Sequence, residues 1–242
     1  WADVHGYQAV LAEGWDKVLG WRSPNYLYKP ANSATTGLLL KNYKLSDDLA
    51  FRFSNRNWPE YPLTVDKYIG WLEANQGDLI NLFIDYETFG EHQWADTGIF
   101  DFLSNLPKQW LKKKSHQFQT ISEVVNSSEP VDTVDIPYTT TWADSERDLS
   151  AWLGNRMQQE AEHYLYSLAP SVLATGDPAL IDDWRRLTTS DHVYYMSTKY
   201  WNDGDVHAYF SPYKSPYDAF LNYMNVIRDI RYRIIEHHAE DK

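Results

Sequence analysis

The stretch Ile80–Trp94, INLFIDYETFGEHQW, decides how this chain is read. Its opening run, Ile80–Ile84, is apolar but for Asn81 and of strand length, so it predicts a buried strand that delivers Asp85 at its C-terminal end. In α/β barrels active sites assemble at that end, because the loops that follow the strands converge there. If the chain stays extended through Glu87, the two-residue period sets both carboxylates on one side. Gly90 then allows a turn that brings His92 and Trp94 back towards them. The product is an acid cluster with an aromatic wall.

Working outward, Tyr7–Leu11 (YQAVL) and Leu49–Ser54 (LAFRFS) read as further short strands. Between the second of these and Ile80 lies Leu63–Asn75, where Val65, Tyr68, Ile69 and Leu72 recur at helical spacing and Gly77 supplies a stop. Strand, helix and strand predict a parallel sheet, and near-continuous apolar runs predict burial on both faces. From about Thr97 the pattern turns helical. Ile99, Phe100, Phe102, Leu103 and Leu106 form a stripe ended by Pro107, and Leu149–Tyr164 reads as one longer amphipathic helix. Ser215 and Pro216 open a last helix lined by Tyr217, Phe220, Leu221, Met224, Ile227, Ile230 and Ile234. Asn126–Pro137 is a loop by composition. The expected fold class is therefore α/β, with a sheet-bearing part over 1–110 and a helical part over 111–242. Three strands cannot close a barrel and would leave open edges, so the chain is expected to be incomplete at its N-terminus.

Composition narrows the function. A formal charge of -12, from 34 acidic and 22 basic residues, disfavours nucleic acid, whose binding rests on Lys and Arg neutralising phosphates. No cysteine is present, which excludes disulfides and thiolate metal sites and fits the cytoplasm as the expected compartment. No apolar run approaches the roughly 18 residues that span a bilayer, so no membrane partner is expected. Aromatics are the real deviation, with 11 Trp and 18 Tyr, many beside polar residues. Such rings stack on the C–H faces of sugars while their polar tips reach hydroxyls, although a Tyr/Trp-rich core would use the same residues.

A glycosidic bond breaks when a carboxylic acid protonates the leaving oxygen as the anomeric carbon becomes oxocarbenium-like. An aspartic acid beside a second carboxylate suits that task, since like charges resist ionising together. Spacing alone does not single this out, because Asp-x-Glu also serves in loops and helix caps. A metal site is the other reading of such a cluster, but no second His/Asp group at ligand spacing supports it.

The string Asp85-Tyr86-Glu87-Thr88-Phe89-Gly90-Glu91-His92, continuing to Thr97-Gly98-Ile99-Phe100, resembles the fourth conserved region of family 57 glycoside hydrolases, in their α-amylase branch. Further stretches agree in the same order: GWRSPNYLY from Gly20 to Tyr28, LLLKNYKLSDDLAFRFSNRNW from Leu38 to Trp58, and Leu187 to Val226. The resemblance implies the last strands of a (β/α)7 barrel, followed by a helical region that packs on it and borders the active site. It also implies cleavage or transfer of α-1,4-glucan bonds with retention, no cofactor, and an α-glucan or maltooligosaccharide as partner. On this likeness Asp85 is the general acid/base and Glu87 helps bind or orient substrate. His92, Trp94, Asp191 and His192 fall where the family places groups near the sugar. The family's nucleophile is a glutamate on an earlier strand, expected here in a segment before Trp1, which would leave the isolated chain inactive. Glu13 is the local substitute, read less as nucleophile than as a supporting or substrate-binding group.

Trp21 and Arg22 read either as sugar contacts or as part of a rigid loop fixed by Pro24, with Trp21 in the core. Asp48 and Arg52 read as a structural ion pair. The basic runs Lys112–Lys114 and Arg185–Arg186 read as solvated helix ends, and His237 and His238 as surface residues. Three further readings stay open beside hydrolysis: a non-catalytic carbohydrate-binding fragment, a 4-α-glucanotransferase and a metal-dependent sugar hydrolase or deacetylase.

Overall fold

Four short strands, β1 (Ala9–Ala12), β2 (Leu27–Pro30), β3 (Gly37–Leu40) and β4 (Thr133–Val134), make one sheet in the order β1-β3-β2-β4. The computed structural model describes residues 1–143, 146–201, 204–205 and 211–240, without the side chains of 201, 204, 205, 238 and 240. The His238 side chain, and parts of the family-like stretch Leu187–Val226, thus lie outside the described residues. β1 runs parallel to β3 in the register Ala9↔Gly37 to Ala12↔Leu40, and β4 runs parallel to β2. β2 and β3, however, are antiparallel. The expected parallel sheet is therefore mixed, because the link from Ala31 to Thr36 is too short for a parallel crossover of about a dozen residues.

β3 reads GLLL and every residue of it is buried. Leu38 and Leu40 meet Val18 and Leu19 of α1 (Asp16–Leu19), with Tyr28 and Val134, on one face. Leu39 meets Leu27 and Val124 on the other, where Leu79 and Phe83 also pack. Burial on both faces was expected of the strands, and it is realised here.

Leu49–Ser54 is not a strand. Helix α2 (Tyr43–Asp47), capped by the Asn42 side chain accepting from the Leu45 amide, passes directly into a π-helical turn at Asp48–Arg52. Leu45, Leu49 and Phe53 are all buried at spacing four, the period of a helix face, and this outweighs the alternation within LAFRFS. Helix α3 (Val65–Ala74) falls inside the expected range, opened by the Thr64 hydroxyl accepting from the Lys67 amide. Helix α4 (Ile99–Trp110) runs past Pro107, which sits in its last turn. Helix α5 (Ile121–Ser127) has a full capping box between Thr120 and Glu123. The supposed loop Asn126–Pro137 therefore contains a helix end and β4, tied to β2 where the Val131 amide donates to the Leu27 carbonyl and the Lys29 amide to that of Asp132. Because this segment returns to the sheet, the first compact unit is Trp1–Tyr138 and the second Thr139–Lys242, a division later than residue 110.

The second unit is helical, built from α6 (Ser150–Leu153), α7 (Arg156–Ser167), α8 (Ala169–Thr175), α9 (Pro178–Leu187), α10 (Asp191–Tyr194) and α11 (Pro216–Glu240), with one antiparallel pairing between β5 (Tyr200–Trp201) and β6 (Gly204–Asp205). The single helix expected over Leu149–Tyr164 breaks at Gly154-Asn155, where Asn155 caps α7 in a box with Gln158. Ser215 caps α11 as expected, accepting from the Asp218 amide. The buried face of α11 is Ala219, Tyr223, Ile227, Ile230 and Ile234, packed on Leu165, Val172, Leu180 and Leu187, while Tyr217 and Leu221 are exposed. Among the described residues no helix is long and apolar enough to cross a membrane.

Gln158 is the polar centre of this unit. Fully buried, it donates to the carbonyls of Ala151 at 2.7 Å and Val193 at 2.9 Å and accepts from the amides of Gly154 and Asn155. Gln158→Leu would remove the acceptor of the Gly154 and Asn155 amides and a donor to the Ala151 and Val193 carbonyls, of which Val193 keeps the Met196 amide, and we expect it to lower the unfolding free energy by about 2–4 kcal/mol in a urea titration. A change below about 1 kcal/mol would mean that the network adds little.

Candidate functional site

The parallel strands β1 and β3 end side by side and set the floor of the candidate site. β1 leads into Glu13 and Gly14, and β3 into Lys41 and Asn42, with the Lys41 amide donating to the Ala12 carbonyl. Both Glu13 and Lys41 are buried. The Lys41 Nζ stands 3.7 Å from Glu13 Oε2 and 3.5 Å from Asp47 Oδ1, so a cation between two carboxylates offsets their desolvation. The close approach requires a glycine: a Cβ on Gly14 would lie 2.2 Å from the Lys41 carbonyl oxygen.

Beside this floor runs the segment that carries Asp85. Residues 79–85 are extended, and their side chains alternate as a strand's do, Leu79 and Phe83 to the sheet side and Ile80, Leu82 and Ile84 to the cluster around Leu45, Leu49 and Tyr68. The expected strand is nevertheless not formed as a ladder. Its attachments come instead from polar side chains and isolated backbone contacts. The Asn42 amide donates to the Asn81 carbonyl at 2.9 Å, the Asn81 side chain to the Leu40 carbonyl at 3.0 Å, and the Phe83 amide to Ser46 Oγ at 3.3 Å. At the start of the segment, the amides of Asp78 and Leu79 both donate to the carbonyl of Asn25.

Asn25 is the hub of these contacts, and reading the sequence did not single it out. Buried in the Trp21–Tyr26 loop, its side chain donates to Asn75 Oδ1 and the Gln76 carbonyl, both at 3.2 Å, and accepts from the Asn42 side chain at 3.0 Å. One signal was available at Asn81, which interrupts the apolar stretch Leu79–Ile84 and as a polar residue there needs a partner, but Asn25 and Asn42 sit among polar neighbours and carry no such mark.

Asp85 ends the extended segment with φ -66° and ψ 144°, and is exposed. The chain then departs from the expected geometry. Tyr86–Thr88 form a 3-10 turn, so the strand period does not set Asp85 and Glu87 on one side. The turn is favoured because Thr88 and Gln93 anchor the loop inside, the Gln93 side chain donating to the Ala50 carbonyl at 3.1 Å. Glu87 is exposed, and its carbonyl accepts the amides of Glu91 and His92, folding the loop back at Gly90, whose φ is +118°. The return that glycine was expected to allow is thus present. His92 is half-buried, and Trp94 is exposed with its indole donating to the Glu91 carbonyl at 2.7 Å.

Trp21 is 83% exposed, which removes the core reading for that ring. Arg22 is bonded to Asp132 at 2.8 Å and stacks over Trp21; the Thr133 amide, and after it Arg22, hold the Asp132 carboxyl below the usual range. Asp48 and Arg52 form the ion pair read from sequence, at 2.6 Å. Burial raises the Asp48 pKa against the lowering effect of Arg52. In the second unit Asp191 is exposed at the start of α10, and His192 lies against the Tyr223 ring at 5.5 Å. Gln158 fixes α10 through Val193, and Asn155 does so through the Met196 carbonyl. Among the described residues no group of three or more His, Asp or Glu is placed to hold a metal ion.

Comparison with known proteins gives two matches. The family model described as Glycosyl hydrolase family 57 matches residues 2–137. A curated protein of Methanocaldococcus jannaschii named "Putative alpha-amylase" is 43% identical over 241 residues, covering 96% of this chain and 51% of that protein. The chain thus spans about half the length of the curated relative it matches. No solved structure matches.

Proposed function

From the premise that this chain belongs to glycosyl hydrolase family 57, we propose that it carries the acid/base half of a retaining glycosidase site for α-1,4-glucans, with Asp85 as proton donor. The observation that carries the proposal is the placement of Asp85 at the end of an apolar extended segment tied to the carboxyl end of β3. That is where barrel enzymes place reacting groups, and the residue matches the family's motif. Exposure of Asp85 and Glu87 suits groups that meet a sugar and an opposing wall. Glu87, His92 and Trp94, on the loop that Gly90 folds back, are the proposed substrate contacts next to it. Trp21 with Arg22, and Asp191 with His192, are proposed as further sugar contacts. The chemistry asks for two carboxylates and for no metal.

The second carboxylate has two candidates. One is a glutamate on a segment upstream of Trp1, where the resemblance to the family expects the nucleophile. The other is Glu13, favoured by its position at the end of β1 and by the Lys41 ammonium 3.7 Å from it, an opposite charge beside a buried carboxyl. The deciding experiment substitutes Asp85 and Glu13 in the full-length protein, measures turnover apart from binding, and identifies the products. Free sugars mark hydrolysis, and elongated glucans mark transfer.

A further inference from the structure

The first unit holds a cleft of about 720 Å³ that includes neither Asp85 nor Glu87. Its walls come from the chain just after β1 and β3, from α1, from α2 and the π-helical turn after it, from the segment that follows and from α3: Asp16, Tyr43, Asp48, Trp58, Glu60 and Trp71 carry its chemistry. The volume lies within the ~300–1,000 Å³ of sites that hold small organic ligands. Trp58 and Trp71 pack edge to face at 5.9 Å, half-buried against the Leu45–Leu49 cluster, so each ring is rigid and presents its remaining surface to the cleft. Rigid aromatic surface of this kind stacks on the C–H faces of pyranose rings without an ordering cost.

The polar lining has a matching character. Asp16 accepts from the Tyr43 hydroxyl at 3.2 Å, Asp48 from Arg52 at 2.6 Å, and Glu60 faces Lys67 at 3.4 Å. Each carboxylate is thus oriented by one partner and keeps acceptor capacity for vicinal hydroxyls. An anionic ligand is disfavoured, since these acids outnumber the lining cations Arg22 and Lys44, and Arg22 is already committed to Asp132. We infer that this cleft is a binding site for a neutral glucan segment, with Trp58 and Trp71 as the stacking platform and Asp16, Asp48 and Glu60 as hydroxyl acceptors. The choice of glucan rests on the reading of the previous section.

The test measures maltoheptaose affinity by titration calorimetry in the full-length protein carrying Asp85→Asn, with Trp58→Ala, Asp16→Asn or Glu60→Gln added. Trp58→Ala is expected to weaken binding at least tenfold, and each carboxamide variant several-fold. Because Trp58 also packs against the core, its fold is checked by near-UV circular dichroism; if it unfolds, the two surface carboxamide variants decide. Unchanged affinity in the folded variants overturns the site, as does an absence of maltoheptaose binding in the parent. Failure here leaves the role of Asp85 standing, since turnover by the native protein and its loss in Asp85→Asn are read separately.

Discussion

Asp85→Asn in the full-length protein is expected to cut maltooligosaccharide turnover by a factor of about 10²–10⁴ while changing affinity less than about threefold. The range is that of a lost general acid: the carboxamide keeps the shape of the side chain but cannot give a proton to the departing sugar oxygen. Because Asp85 is exposed and donates or accepts no structural side-chain bond among those described, the substitution should leave stability unchanged within about 0.5 kcal/mol. That separation gives the test its force. A parallel fall in thermal stability would point to misfolding, and unchanged turnover would remove Asp85 from the mechanism.

Leaving-group chemistry separates Asp85 from Glu13. A 4-nitrophenyl maltooligosaccharide departs as a stabilised phenolate and needs little protonation, so Asp85→Asn should slow its glycosylation step far less than it slows natural glucan cleavage. Should Glu13 be the nucleophile, Glu13→Gln would abolish both reactions alike, since no glycosyl-enzyme can form on an amide. Should the nucleophile lie upstream, Glu13→Gln would act through Lys41, which would lose one of the two carboxylates flanking it. The consequence would be lost stability with the two substrates affected in equal and smaller measure. Glu13→Gln also leaves a buried amide, so its fold must be confirmed before the kinetics are compared.

What the sequence conveyed depended on whether the signal was local. The apolar character of Ile80–Ile84, its end at Asp85, and helices α3 and α11 are properties of a few neighbouring residues, and they were read directly. The near-continuous apolar character of Ile80–Ile84 did tell that both sides would be covered, but not that covering side chains would replace a strand ladder. LAFRFS is likewise a short apolar run, yet its helical fate comes from Leu45, upstream of the motif, in row with Leu49 and Phe53. The pairing of β4 with β2 joins residues about a hundred positions apart, through two residue pairs, and no local pattern announces it. For the site, residue types led to Asp85, Glu87 and the returning loop, whereas the 3-10 turn at Tyr86–Thr88 that ends the strand period is set by Thr88 and Gln93 anchoring inward. The supports of the site are polar residues bound to partners far along the chain, and those contacts exist only after folding.

Asn25→Ala puts that last point to measurement and should be the most destabilising single change in the first unit among those considered. Its side chain makes three hydrogen bonds, to Asn75, Gln76 and Asn42, and removing it takes the acceptor from the buried Asn42 side chain and the donor from the less buried Asn75 and Gln76. At about 1–3 kcal/mol for each group left unsatisfied, and with partial relaxation, the expected loss is about 3–5 kcal/mol by urea denaturation. The backbone carbonyl of Asn25 still receives Asp78 and Leu79, so the fold can survive the change in a weakened form. Gly77 adds an independent handle on the same junction. It has a φ of +138°, and a Cβ there would lie 2.4 Å from the Asn25 carbonyl oxygen, so Gly77→Ala strikes the backbone contact that Asn25→Ala spares. Both variants should loosen the start of the segment that ends at Asp85, which hydrogen exchange at the amides of Asp78 and Leu79 would report as lost protection. Asn25→Asp is the control, since a carboxylate still accepts from the Asn42 side chain but cannot donate to Asn75 and Gln76, and it should fall between wild type and Asn25→Ala. Full stability in Asn25→Ala would show that the junction is held by the backbone alone and that the three side-chain bonds are incidental.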